Sequence, residues 1–391
     1  MVSVQTRFKL LIGLVTISGF SQGMLLPLLA FILEQDGVPS SVNGLHATGL
    51  YIGVLVASPF MEKPMQKLGY KPIILIGGLL VFISLAFFPV WHALWFWFIL
   101  RVLVGIGDHM LHFGTQTWIT STSAPERRGR NIAYYGLFFS LGFSLGPTMT
   151  RLLSVNESLP FIISAILCFA VWLTMFFVRN EWPQADNHIQ ASAPRTSVGR
   201  FIKTGKLAWV ALLPPFGYGF LEATLNGIFP IYGLRIGHDV EILSLIIPCF
   251  AASSLITQIP LGIFSDKIGR QKLLIIVIAL GSISFLLAAF FEGSVAWLFI
   301  TFSLAGMFTG SIFSLGISYM TDILPKALLP AGNIMCGIAF SLGSITGPYL
   351  GGVFIDVFPG ISFFYVIVAM LVIVLAAILS KKPNHQMSPA N

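Results

Sequence analysis

Residues Phe139-Ser-Leu-Gly142-Phe-Ser-Leu-Gly146-Pro147 return later in the chain as Phe340-Ser-Leu-Gly343-Ser-Ile-Thr-Gly347-Pro348. Two other stretches return at the same offset to within one residue. Gly19-Phe20-Ser21-Gln22 becomes Gly219-Phe220-Leu221-Glu222, and Lys67-Leu68-Gly69 becomes Lys267-Ile268-Gly269. Each pair sits at the same place in its half, so the chain reads as a duplicated unit. The unit is apolar: of 391 residues, 56% are hydrophobic and only 9% charged. A soluble domain carries about 25% charged residues. No soluble core could hide this much apolar surface, and the bilayer must act as the solvent.

A span takes about 20 mostly apolar residues. Twelve runs qualify: 8–33, 42–61, 72–90, 93–120, 131–153, 159–178, 207–233, 242–264, 272–291, 294–320, 332–355 and 361–380. The expected fold is an all-α membrane protein, with twelve transmembrane helices in two pseudo-symmetric six-helix bundles. Residues 1–178 form the first bundle and 207–380 the second. Residues 179–206 read as a polar cytoplasmic linker with an amphipathic stretch near 198–206, and 381–391 as a cytoplasmic tail. Pro27, Pro214, Pro215 and Pro230 are expected to interrupt helices one and seven, which neighbouring helices make tolerable. Arg7 and Lys9 precede a run too long for a signal peptide, so it reads as the first span.

The +7 net charge would suggest nucleic acid in a soluble protein. Here the cations lie in short loops, where they set orientation instead. With both termini cytoplasmic in a cell membrane, the inner loops take Lys63, Lys67, Lys71, Arg127, Arg128, Arg130, Arg195, Arg200, Lys203 and Lys206. Only Arg151 and Arg235 fall outside, and only Arg101 falls in the interior of a run, Lys9, Arg151 and Lys272 lying at run ends. The outer loops are acidic or neutral, with Glu34, Asp36, Glu157, Asp239, Glu241, Glu292 and Asp356. Cys168, Cys249 and Cys336 each sit in an apolar run without metal or disulfide spacing, and read as small buried hydrophobes.

The loop between helices eight and nine, Gly262-Ile-Phe-Ser-Asp266-Lys267-Ile-Gly269-Arg270-Gln-Lys272, resembles the signature of the major facilitator superfamily, and the likeness extends over essentially the whole chain. The resemblance implies a latch, with Asp266 and the basic residues pairing across helix ends where Gly262 permits close packing. The first-half copy departs from the pattern: Gln66 stands where Asp is expected and Glu62 where Gly is. Its latch is either absent or relies on Glu62. Arg101-x3-Gly105-x-Gly107 is similar to the family's proton-transfer motif, and Arg127-Arg128-Gly129-Arg130 to its basic loop after helix four. Gly142, Gly146 and Pro147 resemble the core of the motif associated with antiporters, within the 12-helix drug:proton antiporter-like branch. Helix eleven carries a fuller form with Gly343, Gly347 and Pro348. Small residues four apart also permit close helix crossing anywhere, so packing competes with antiport as the reason for both.

Charge inside a bilayer costs about 2.5–3.5 kcal/mol per residue on insertion scales and marks a functional candidate. Arg101 and Asp108 on helix four and Glu222 on helix seven qualify. Arg101, Gly105, Asp108, His112 and Thr115 fall on one helical face, with Asp108 and His112 one turn apart and able to share a proton. Burial and a nearby cation act on a carboxylate in opposite senses. An Arg101–Asp108 pair would place Asp108 under both, as proton coupling requires; a purely structural network is the competing account. Glu222 has Asn226 one turn away and Gln22 as its repeat partner, which suits proton carriage or recognition of a cation. His46 and His109 read as satisfied core histidines, and no metal or cofactor is expected.

The expected function is secondary transport of a small molecule by alternating access, as a monomer: proton-coupled efflux of a hydrophobic or amphipathic compound. Two alternatives stay open. One is proton symport of a metabolite or sugar, for which Gln22, Gln116 and Asn226 could read hydroxyls and Trp118 could stack. The other is lipid flipping. An enzyme is not expected, since no His-Glu-x-x-His or P-loop occurs and no nucleophile has a base at useful spacing.

Overall fold

In a bilayer every backbone polar group must be satisfied internally, which leaves helices as the building unit for such runs. The computed structural model describes residues 4–123, 125–183, 197–325 and 328–381, and among them the chain is helical with short connections. Among the described residues, eight helices are long and apolar enough to cross a membrane. They are helix one (Val4–Gln35), helix three (Tyr70–Val90), helix four (Leu94–Thr122), helix six (Leu159–Phe177), helix eight (Val240–Ile268), helix nine (Arg270–Phe291), helix ten (Val295–Ile323) and helix eleven (Ala331–Val357). The other four runs are broken, polar at one end or short. Helix two is split into Ser40–Ala47 and Gly49–Ala57, and helix five turns from α (Pro125–Leu145) to 3-10 (Gly146–Ser154). Helix seven is Ser197–Gly227 followed by Phe229–Arg235, and helix twelve is Phe364–Ser380.

The proline expectation needs correction. Pro27, Pro214 and Pro215 lie within continuous helices, and only Pro230 sits beside a break, at Ile228. Close packing holds the first three rings in place; Pro27, for example, is buried together with all its neighbours from Gly23 to Leu33. Helix seven does kink, but at Ala208. This separates the expected amphipathic stretch, which is helical from Ser197 onward, from the span proper. Linker residues 184–196 and tail residues 382–391 lie outside the described residues.

Buried apolar side chains form two clusters. One draws on residues 11–178 plus Ala223, the other on 208–378 plus Ala30 and Phe31. Helix one packs most heavily on helix five, and helix seven on helix eleven. Both crossings use the repeated glycines. A Cβ on Gly142 would lie 1.9 Å from the Thr16 carbonyl oxygen, and one on Gly343 would lie 2.0 Å from that of Phe216. Gly19 and Gly219 close in return on the carbonyls of Phe139 and Phe340. Gly146 and Gly347 press on helices one and seven one turn further along. The motifs on helices five and eleven are therefore backbone contacts in both halves. Gly69 and Gly269 end helices at φ +87° and +92°, a conformation that favours glycine.

The two ends of the molecule differ. At the end bearing Glu34, Arg235 and Asp356, polar contacts bind the halves together. Arg235 pairs across the halves with Glu34 at 2.7 Å and within its own half with Asp356 at 3.5 Å, and Arg151 pairs across with Glu241 at 3.4 Å. Asp356 also accepts the backbone N–H groups of Ser40 and Ser41, at 3.1 and 2.7 Å. Gly44 and Gly352 bring helices two and eleven into backbone contact nearby. Among the described residues, no side-chain hydrogen bond or ion pair joins the halves at the opposite, basic end.

The loop signature sits at that basic end. Arg270 pairs with Asp322 at 2.6 Å and Asp266 at 3.5 Å, all within the second half. Gly262 contradicts the expectation of close packing: a Cβ there would meet nothing within 4 Å, because Gly262 lies on an exposed face of helix eight. In the first half, Asn180 supplies contacts near the missing acid. It donates to the Leu68 carbonyl and accepts from the Lys71 N–H. The side chain of Glu62 lies outside those described.

Candidate functional site

Helices one, two, four, five, seven, eight, ten and eleven enclose a cavity of about 520 Å³ between the halves. It reaches from Gln116 and Gln258, toward the basic end, up to Pro147, Ile247 and Asn226. Beyond Asn226, Ile228 and Phe229 are fully buried and close it off. Asp108, His112, Gln22 and Gln116 line one side, Glu222 and Asn226 the other. Four of the intramembrane candidates, Asp108, His112, Glu222 and Asn226, thus share one space with Gln22 and Gln116. Phe139, Phe143, Phe313 and Phe340 supply the apolar surface between them.

Asp108 is nearly fully buried. Ser18 donates to its Oδ1 at 2.7 Å. The same Ser18 hydroxyl lies 3.1 Å from His112 Nε2, and Gln22 Nε2 lies 3.3 Å from it. His112 Nδ1 is hydrogen-bonded to the Tyr135 hydroxyl. With the imidazole proton on Nε2, three bonds order head to tail: Tyr135 to His112, His112 to Ser18, Ser18 to Asp108. Asp108 Oδ2 has no partner, leaving an acceptor site open.

Arg101 departs from expectation. It is fully buried, but its guanidinium donates to the carbonyls of Leu25 and Leu26 on helix one and does not pair with Asp108. Seven residues separate them on one face, about 10 Å along the axis, beyond the reach of an ion pair. Gly105, on the same stripe, serves as a contact point, since a Cβ would sit 1.9 Å from the Leu50 carbonyl oxygen on helix two. Thr115 is buried. Trp118 is also buried, stacked on Tyr70 and donating to Glu181, so it takes no part in the cavity. His46 binds the Leu94 carbonyl as a core histidine. His109 instead contacts Ser58 and faces the cavity.

Glu222 has no basic partner within ion-pair distance among the described residues. Asn226 donates to the backbone carbonyl of Glu222, not to its carboxylate. Tyr51 and Tyr218 line the same cavity as Glu222. Ser18, Tyr135, Tyr51, Tyr218 and Gln258 escape a sequence reading, because hydroxyls and amides occur throughout spanning helices. Only Ser18 carried a signal, lying one turn before Gln22. Gly142-Phe-Ser144-Leu-Gly146 spells the letters of a hydrolase elbow, yet Ser144 merely donates to the Ser140 carbonyl.

The sequence profile of the Major Facilitator Superfamily matches residues 11–246 and 215–391. An uncharacterised MFS-type transporter of Bacillus subtilis, YfkF, is 50% identical over 98% of this chain and 97% of its own. Multidrug resistance protein 1 of B. subtilis is 24% identical over 89% of this chain and 91% of its own. Among solved structures, a mutant of the nucleoside transporter NupG superposes with a TM-score of 0.78 at 16% identity, over 95% of this chain and 99% of that one. A bacterial homologue of the human lysosomal transporter Spinster, inward-facing and unoccupied, gives 0.77 at 15%, over 95% of each. With these matches and a cavity shared by two repeated bundles, the chain belongs to the Major Facilitator Superfamily, as a multi-pass membrane protein and secondary transporter of small molecules.

Proposed function

We propose that this transporter exports a hydrophobic or amphipathic small molecule in exchange for protons, with Asp108 and Glu222 as the proton-linked carboxylates. The observation that carries the reading is the arrangement of the cavity. A buried carboxylate at the end of a hydrogen-bonded chain occupies one wall, a second carboxylate without a cation the other, and phenylalanines lie between. The similarity to a multidrug resistance protein points the same way. A proton entering at Tyr135 passes to His112 Nδ1 as His112 Nε2–H passes its own to Ser18 and Ser18 passes its own to Asp108. The imidazole proton then sits on Nδ1, and the chain resets when that proton returns to Nε2 and the two hydroxyls turn back, after Asp108 has released its proton.

The bundles 1–178 and 207–380 are the moving units, working as a monomer in the cell membrane with both termini cytoplasmic. On that orientation the acidic end is external and closed, and the cavity faces inward. The amide groups of Gln22, Gln116, Asn226 and Gln258 favour a second reading, symport of a polar metabolite, as does the likeness in fold to a nucleoside transporter. Proteoliposomes loaded in turn with a fluorescent lipophilic cation and a nucleoside separate the two. Efflux of the cation driven by an opposing proton gradient supports export. Nucleoside accumulation along the proton gradient, without cation efflux, sinks it.

The acidic end supplies a further expectation. Exposed ion pairs contribute up to about 1 kcal/mol each, so Arg235→Ala should raise the outward-open fraction by about fivefold. Spin labels at Asp36 and Val357 would report it as a longer-distance population. Burial alone would raise the Asp356 carboxyl, but the N–H groups of Ser41 and Ser40 hold it below its ordinary value. A pKa lowered in the closed state gives a closing contribution present above the ordinary value and lost as pH falls through the lowered one. Acidification from pH 7 to about 5 should therefore leave the label distances unchanged. A shift over that range would remove Asp356 from the clamp.

A further inference from the structure

A second cavity, of about 400 Å³, opens at the basic end between the start of helix one, the last turn of helix four and the first turns of helix five. We infer that it is a binding site for an anionic phospholipid, its phosphate held by Lys9, Arg127 and Arg130 and its acyl chain laid over Phe8 and Tyr134.

Three observations converge on it. First, the lining is cationic and its charge is uncommitted. Lys9, Arg127 and Arg130 are exposed and have no ion-pair partner among the described residues. Arg7, also in the wall, is by contrast engaged by Glu181 and lies over the Trp118 ring. Second, neutral donors and acceptors sit among the cations. Asn131 donates to Ser123 at 2.8 Å, and Thr122 completes that rim. Helix five begins at Pro125, so the positive end of its dipole adds to the same potential. Third, the lining also carries accessible apolar surface. Tyr134 is 43% exposed and Val4 67%, and Phe8 meets Tyr134 edge to face.

A free phosphate would need only the cations. A lipid needs cations beside an apolar wall, at the level where spanning helices leave the hydrocarbon, and the cavity offers both. Basic pockets between helix ends bind anionic headgroups, at about a fivefold gain per Lys or Arg near the surface. The site shares no residue with the central cavity and does not depend on the transport reading.

The purified full chain in detergent would be titrated with palmitoyl-oleoyl phosphatidylglycerol, the matching phosphatidylcholine and inorganic phosphate, with adducts counted by native mass spectrometry. Phosphatidylglycerol should bind in preference to phosphatidylcholine. The triple variant K9A/R127A/R130A should lose that preference by on the order of 100-fold, whereas R127K/R130K should keep it within a few-fold. If the triple variant does not fold, raising the salt on the native protein is the second arm: phosphatidylglycerol should dissociate while phosphatidylcholine stays. Equal retention of both lipids, an unchanged triple variant, or displacement of phosphatidylglycerol by inorganic phosphate at similar concentration would each overturn the inference.

Discussion

Asp108→Asn is expected to slow proton-driven transport by on the order of 100-fold, the range in which a positioned proton-transferring group contributes, while the protein still folds and inserts. The substitution keeps shape and volume. Its amide oxygen can still accept the Ser18 hydroxyl that now reaches Oδ1 at 2.7 Å. What disappears is the ability to take up and release a proton. Exchange of labelled for unlabelled substrate, which moves no net proton, should therefore survive, and that separates a lost coupling step from a broken cavity. Glu222→Gln tests the opposite wall in the same two assays. Ser18→Ala and Tyr135→Phe interrupt the chain leading to Asp108 without removing its carboxylate, so both should slow net transport less than Asp108→Asn does. Gradient-driven movement that persists at wild-type rate in both Asp108→Asn and Glu222→Gln would falsify the proposed coupling.

Gly142→Val is expected to destabilise the protein by about 3 kcal/mol, the upper part of the usual overpacking range. The obstacle is backbone. The added Cβ would fall 1.9 Å from the Thr16 carbonyl oxygen and 2.9 Å from the Phe20 nitrogen, and neither can rotate aside as a side chain would. Helices one and five would have to separate, and small residues at such crossings are what permit close van der Waals packing in a membrane. Gly343→Val should behave alike, since Phe216 stands at 2.0 Å in the second half. Gly136→Ala is the control: it lies on helix five with nothing within 4 Å of the added carbon. Loss of monodispersity on heating in detergent reads all three. Equal heat tolerance of Gly142→Val and Gly136→Ala would show that the motif is not a packing device. Gly142→Ala in the transport assay would then ask whether the motif also affects the direction of exchange.

Much of this protein is legible before any coordinates. The apolar runs, the loop charges and the paired stretches at Gly19/Gly219, Lys67/Lys267 and Phe139/Phe340 establish a repeated helical membrane protein. They do so because the bilayer imposes length and polarity on every span, and those are local properties of the chain. Helical periodicity also placed Asp108 and His112 on one face. Periodicity gives the face of a residue but not its partner. It suggested an Arg101–Asp108 pair, yet the guanidinium goes to carbonyls on helix one. It likewise gave no reason to single out Tyr135 or to expect Ser18 to bridge Asp108 and His112.

The sequence by itself determined the number and character of the runs, their repetition and the scarcity of charge within them. Tertiary structure alone decided which carbonyls the repeated glycines press against and which helix supplies the hydroxyl between Asp108 and His112. It also decided that Arg235, Glu34 and Asp356 join one end while Gly262 meets nothing at the other. The division has a physical cause. Transfer into lipid is summed residue by residue along a segment, so composition and period report it directly. Contacts between helices depend on crossing position and on which face meets which, and these are settled only when all the helices pack together.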